Sequence, residues 1–171
     1  KNKEKKKTSF YYSFDETKDK KHNHLVFIFG NNTKLIYNDV RKFGFIKFDL
    51  GNRYQKNSHL KTLGPEPLQD DYNFKYFKNF IKGKNSVVKN LLMNQKFVSG
   101  LGNIYVNEIL FLSKVRPTRR IVRLKDIEIT NIIKNTKIIL NKAISFGGSS
   151  IKNFSSSSGK TGSFQLHFSV Y

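Results

Sequence analysis

The sequence predicts an α+β chain: the remnant of an antiparallel sheet, followed by a mostly helical region. Three observations predict it. Short apolar runs bounded by turn residues fill the first third of the chain. Apolar residues then recur at helical spacing from Phe74 to Phe146. Within that stretch Leu92–Phe111, LMNQKFVSGLGNIYVNEILF, joins an apolar helix end to a second helix through a glycine-punctuated double turn.

Lys1 to Lys21 is charged and irregular, with a short strand expected at Ser9–Phe14. Leu25–Phe29, Lys34–Tyr37 and Phe43–Phe48 read as strands. Gly30-Asn31-Asn32 suits a hairpin, because Gly and Asn tolerate positive φ. Leu50 to Asp71 is a connector, and the prolines of Leu63-Gly64-Pro65-Glu66-Pro67-Leu68 bar a helix interior there. Phe74, Phe77 and Phe80 share one face of a helix over Asn73–Lys82. Ser86 is the expected N-cap of Val87–Asn94. Asn103 is expected to open and cap a helix over Ile104–Ser113. The longest helix is Asp126–Phe146, with Ile129, Ile132, Ile133, Thr136, Ile139, Leu140, Ala143 and Phe146 inward. Asp126 and Glu128 suit the positive end of its dipole, and Gly147-Gly148 stops it. Ser149 to Gly162 is a Ser/Gly/Lys loop, and Ser163–Tyr171 alternates like a strand.

The 32 Lys and Arg residues outnumber the 12 Asp and Glu, giving net charge +20 and a pI near 10.1. Lys, Asn, Ile and Phe abound together, a mixture that an AT-rich genome also produces. Whatever its origin, the charge favours a polyanion such as nucleic acid. There is no Cys, so disulfides and thiolate metal sites are excluded within these residues. No apolar run nears the roughly 20 residues that span a bilayer. No signal peptide is visible, no membrane association is expected, and the expected setting is the cytoplasm. Lys1 in place of Met, and a last residue inside an apparent strand, lead us to expect a fragment of a longer protein.

Several constellations suit nucleic acid. Gly100 and Gly102 permit tight bends and close approach of a ligand, beside helix N–H groups that favour an anion. The bland alternative is a helix hairpin with Asn103 as a structural cap. In Asn38-Asp39-Val40-Arg41-Lys42-Phe43-Gly44 a guanidinium sits near an aromatic ring, a pair suited to probing a base stack. The alternative there is an exposed Arg and a core Phe on a strand. His22 and His24 stand at i and i+2, but a third metal ligand is not nearby, so an ordinary polar strand start is favoured over a metal site. Lys78, Lys82, Lys84 and Lys89 can neutralise phosphate, or simply form a solvated face. The Gly147–Gly162 stretch taken alone is a flexible linker.

Taken together these runs resemble the formamidopyrimidine-DNA glycosylase family, over roughly His22 to Tyr171. The resemblance implies a helix–two-turn–helix motif. It makes residues 1–70 the C-terminal part of the catalytic β-sandwich domain, and 71–171 the DNA-binding domain with its lesion-recognition loop. It implies that Gly102 and Asn103 meet phosphate, and that His22, Lys84 and Lys89 contact DNA. It implies that Arg41 fills the space of an extruded base and that Phe43 wedges beside it. The family's third intercalating residue, a Met, has no counterpart; the one Met here is Met93. Gly148, Ser149, Ser150, Lys160 and Gly162 match the loop that wraps the everted base, with Ser149 and Ser150 where Thr is usual.

The implied function is base-excision repair of double-stranded DNA: an oxidised purine such as 8-oxoguanine or a formamidopyrimidine is flipped out and removed. The abasic site is then nicked by β/δ-elimination. A monomer is expected. The alternatives are a non-catalytic helix–two-turn–helix nucleic-acid-binding protein, and an endonuclease VIII-type enzyme acting on oxidised pyrimidines. In the family an N-terminal Pro-Glu supplies the attacking amine and its assisting carboxylate. A four-cysteine finger holds one structural zinc. Neither has a counterpart here, so no catalytic residue, cofactor or metal ligand is assigned within the chain. Mixed with an oxoguanine-containing duplex and borohydride, the chain is expected to give no trapped adduct. An adduct would place an attacking amine among these residues.

Overall fold

Two units emerge from the computed structural model, which describes residues 20–30, 33–39, 41–48, 57–149 and 162–170. The first comprises Lys1–Leu50 and Ser150–Gly162. Its described part centres on an antiparallel hairpin of β1 (Asn23–Ile28) and β2 (Lys34–Asn38), with Val26 opposite Ile36 and Ile28 opposite Lys34. The Phe29 N–H donates to the Thr33 carbonyl at 2.9 Å, closing the expected turn at Gly30. Asn31 and Asn32 lie outside the described residues, as does the strand expected at Ser9–Phe14. A 3-10 turn over Lys20–His22 precedes β1, so His22 stands before the strand and not on it.

Phe43–Phe48 is not a strand. Lys42 takes a left-handed backbone with φ 58°, which breaks an extended run at its start. The sheet of the described residues has two strands, and Phe43, Phe45 and Phe48 are exposed.

The second unit, Gly51–Ser149 with Ser163–Tyr171, holds the core and the helices. Its helices are α1 (Ser58–Lys61), α2 (Phe74–Ile81), α3 (Val88–Met93), α4 (Asn103–Leu112) and α5 (Asp126–Ser145). The α2 helix starts where the Asn73 side chain accepts the Tyr76 N–H at 2.9 Å. Of its aromatic face, Phe77 is fully buried, Phe80 packs partly and Phe74 is exposed. Val87, not Ser86, holds the cap position of α3; its β-bridge to Arg120 keeps it extended. At α5, Glu128 accepts the Lys125 N–H at 2.7 Å and Arg119 at 3.2 Å, a negative charge on the positive helix end. Ile129, Ile132, Thr136, Ile139 and Ala143 of α5 are buried, while Phe146 is 36% exposed and lies against the His167 ring at 4.1 Å. Gly147 and Gly148, with φ 71° and 83°, end the helix in the left-handed region.

The expected strand at Ser163–Tyr171 is instead a 3-10 turn, Phe164–His167, followed by an extended tail. Phe164 is buried in the core. The Ser169 and Val170 N–H groups donate to the buried Glu108 carboxylate at 2.8 and 2.9 Å, so a side chain on α4 takes the place of a partner strand. Among the described residues no helix is long and apolar enough to cross a membrane.

Phe97 lies at the centre of this unit, fully buried, with the rings of Tyr72, Tyr76, Phe77 and Phe80 around it at 4.8 to 5.9 Å. The Tyr76 hydroxyl donates to the Phe97 carbonyl at 2.8 Å. The proline-containing connector packs on the same residue. The Gly64 N–H donates to the Gln95 carbonyl at 2.8 Å, and the Ser99 N–H to Pro65 at 3.0 Å. A Cβ on Gly64 would lie 2.5 Å from the Phe97 carbonyl group. Gly64→Ala should therefore destabilise the protein by about 1–3 kcal/mol, the usual range for overpacking. A urea midpoint unchanged from the parent chain would refute this packing.

Candidate nucleic-acid interface

The chain between α3 and α4 is the first candidate. Gln95 holds it from inside. Its Oε1 accepts the Gly100 N–H at 2.7 Å, and its Nε2 donates to the Leu101 carbonyl at 2.9 Å. Gly100 has φ 82°, a conformation that favours glycine, and Leu101 anchors the bend in the core. Gly102, with φ −115° and ψ 175°, is the N-cap of α4, and Asn103 is its first helical residue. Asn103 is thus not the cap. No side-chain hydrogen bond caps this helix, and Asn103 at its positive end is exposed. A Cβ at Gly102 would meet nothing within 4 Å, so its surroundings are open to a ligand.

The cations differ in their engagement. Lys84 is exposed, with its Nζ 3.2 Å from the centroid of the Phe80 ring, a cation–π contact that leaves the ammonium accessible to an anion. Lys89 is half-buried on α3, whose start is tied down where the Lys89 N–H meets the Pro117 carbonyl at 3.3 Å. Lys78 pairs with Asp126 at 2.8 Å, which makes it a poorer candidate for phosphate.

The loop expected to wrap a base has a defined neck. Ser149 and Ser163 form a β-bridge, and the Phe164 N–H donates to the Gly148 carbonyl at 3.1 Å. The Ser149 hydroxyl lies 3.5 Å from the Tyr105 hydroxyl, in the first turn of α4. Gly148 and Ser149 are thereby brought beside the Gly102–Asn103 helix start. Gly162 is buried, and Ser150 and Lys160 lie outside the described residues.

In the first unit Arg41 and Phe43 stand together. The guanidinium carbon is 4.5 Å from the Phe43 ring centroid, and the ring is 77% exposed. The alternative of a core Phe on a strand is overturned. Asp39 organises the turn. Its carboxylate accepts the Arg41 N–H at 2.8 Å and the Gly44 N–H at 3.1 Å. The Gly44 amide, with those of Lys42, Arg41 and Phe43, holds the Asp39 pKa below the ordinary carboxylate value, against a smaller opposing desolvation. A Cβ at Gly44 would overlap the Tyr37 hydroxyl. His22 is half-buried, and its carbonyl accepts the Asp39 N–H at 3.0 Å. His24 Nε2 donates to the Asp39 carbonyl at 2.9 Å, which ties the ring to the same turn. Among the described residues no three His, Asp or Glu side chains are grouped to hold a metal ion. With no Cys the chain does not fit a thiolate zinc site.

Two residues that organise these turns, Asp39 and Gln95, were not singled out from sequence. Asp two residues before Arg41 is a recognisable turn signal. Nothing local marks Gln95, whose partners lie five and six residues on.

This arrangement defines a class of protein: an α+β chain built on two helices and a double turn. The family model described as the formamidopyrimidine-DNA glycosylase H2TH domain matches residues 63–155. The formamidopyrimidine-DNA glycosylase of Wolbachia pipientis subsp. Culex pipiens is 38% identical over 160 residues, covering 94% of this chain and 58% of that protein. That of Listeria monocytogenes is 40% identical over 153 residues, covering 88% and 55%. The crystal structure of MutM (Fpg) from Thermus thermophilus is similar with TM-score 0.81 at 27% identity, covering 95% of this chain and 60% of that one. Lactococcus lactis Fpg, non-covalently bound to DNA containing an AP site, gives TM-score 0.80 at 33% identity, covering 95% and 58%. The chain belongs to the formamidopyrimidine-DNA glycosylase family. It spans little more than half the length of these two sequence relatives. They carry the formamidopyrimidine name, so neither the endonuclease VIII-type reading nor the bare binding-module reading is favoured.

The glycines at the double turn should separate fold from binding. Gly100→Ala is expected to destabilise the chain by about 1 kcal/mol or more, because φ 82° strains a side chain. Gly102→Ala should cost under about 1 kcal/mol in a thermal melt, its backbone being ordinary and its surroundings open. It should nonetheless weaken binding to duplex DNA. Undiminished DNA affinity in Gly102→Ala would remove this glycine from the interface.

Proposed function

We propose that this chain is the DNA-gripping part of a base-excision repair glycosylase that flips out and removes oxidised purines, 8-oxoguanine and formamidopyrimidines, from double-stranded DNA. The reading includes cleavage of the resulting abasic site by β/δ-elimination. It also includes action as a monomer in the cytoplasm, and one structural zinc in the complete family member. The observation that carries it is the exposed Arg41–Phe43 stack on its anchored turn. A large ring held in water against a guanidinium is suited to entering a base stack.

Extruding a purine costs a few kcal/mol in lost stacking and pairing. Arg41 offsets part of that by occupying the vacancy and hydrogen-bonding the orphaned base, while Phe43 props the neighbouring step apart. The Gly102–Asn103 helix start, Lys84, Lys89 and His22 hold the kinked backbone through phosphate. Gly148, Ser149, Ser150, Lys160 and Gly162 enclose the everted base, with hydroxyl and main-chain groups supplying hydrogen bonds. The attacking amine and its assisting carboxylate belong to the Pro-Glu of the complete family member. Lactococcus lactis Fpg has been crystallised with abasic-site DNA, and a mutant of it with DNA containing Fapy-dG, in line with such a substrate.

The chain should bind a duplex with an abasic-site analogue about tenfold or more tighter than the undamaged duplex at the same salt, equivalent to about 1.4 kcal/mol or more. Arg41→Ala should erase most of that preference. Lys84→Ala should weaken both duplexes alike and lower the salt slope by about one. Fluorescence anisotropy measures all three. Equal affinity of the parent chain for both duplexes would return the protein to the binding-module class.

A further inference from the structure

Asp39 is tied at every polar group that the structure describes for it. Its N–H donates to the His22 carbonyl at 3.0 Å, and its carbonyl accepts from His24 Nε2 at 2.9 Å. One carboxylate oxygen accepts from Arg41 and the other from Gly44. The turn between those two residues contains Lys42 at φ 58° and ends on a glycine pressed against Tyr37. Such a backbone is held only when its surroundings over-determine it. Arg41 and Phe43 are both carried on it, and neither is packed in a core.

We propose that Asp39 is the positioning residue of the base-probing turn, setting Arg41 and Phe43 in their stacked arrangement before DNA arrives. This rests on the reading of Arg41 and Phe43 given above. A carboxylate beside a phosphate-binding surface opposes DNA electrostatically, so general affinity gives no reason for an acid here. Its hydrogen bonds to backbone amides give one. The turn is pre-ordered, and the entropy of ordering it is not charged against lesion binding. The depressed pKa of Asp39 accords with this, the Gly44 amide contributing most.

The two roles of the charge predict opposite signs. Asp39→Asn keeps the shape and one acceptor but removes the negative charge. Asp39→Ala removes both acceptors. On the full chain, the preference for abasic-analogue over undamaged duplex should fall several-fold in Asp39→Asn and approach the Arg41→Ala level in Asp39→Ala. Affinity for undamaged duplex should not fall, because a repulsive charge has gone. Asp39→Ala with the parent preference overturns the proposal, and so does a parallel loss on both duplexes. If the parent chain itself shows no preference, the proposed function fails, and this inference with it. Preference in the parent that survives in Asp39→Ala sinks the inference alone. Should the variants unfold, the parent chain still decides. The Arg41 and Gly44 amide resonances should share one acid titration with a midpoint below the ordinary carboxylate value. The bonds are present above that midpoint and lost as pH falls through it. Amides indifferent to that titration would overturn the proposal.

Discussion

The double turn between α3 and α4 keeps its shape because Phe97 cannot leave the core. Its ring is enclosed by four other aromatic rings, and its carbonyl is held by the Tyr76 hydroxyl. Burying such a side chain is worth about 1.5–3 kcal/mol, against about 0.5–1.5 kcal/mol for each hydrogen bond of the turn. With Phe97 pinned, the residues either side have little freedom. Gly64 and Pro65 close one side, Gln95 spans the inside, and the chain must leave through Gly100 and Gly102. The outward helix start of α4 follows from this burial and does not depend on Asn103 as a cap.

Five of the acidic residues among those described have a common use. Asp39 gathers backbone amides, Glu108 holds the tail, and Glu128 caps α5 while pairing with Arg119. Asp126 pairs with Lys78, and Asp70 with Lys137. In these places each carboxylate is engaged by an internal or local partner, a cation at Glu128, Asp126 and Asp70 and backbone amides at Asp39 and Glu108. The net charge of +20 favours a polyanion. A surface of this kind attracts any nucleic acid, so discrimination must come from short-range geometry.

That geometry is supplied by turns held from within. At each of the two candidate contact regions one short side chain, Asp39 or Gln95, bonds to several backbone groups of its own loop. Turns of this sort present a side chain or a helix end without the entropy loss of ordering it on binding. Tyr105 extends the same logic to the Gly148–Ser149 segment, where its hydroxyl meets that of Ser149 beside the helix start.

Much of this was written in the sequence. Helical periodicity and glycine stops give α2, α4 and α5 to within a residue or two, because burial of one face dominates their energetics. The motif around Gly100–Asn103 identified the family, since tight turns admit few residue types. Other features needed the folded chain. Phe43–Phe48 alternates enough to suggest a strand, but strands exist by pairing, and Lys42 turns the backbone away before one can form. The tail after Phe164 was decided by Glu108, 61 residues distant in the chain. The cap of α4 is Gly102 and not Asn103, and that of α3 passed from Ser86 to Val87 through its bridge to Arg120. Local composition determines which conformations are cheap; only tertiary packing determines which hydrogen-bond partner arrives, and that partner set the ends, the tail and the turn that carries Arg41.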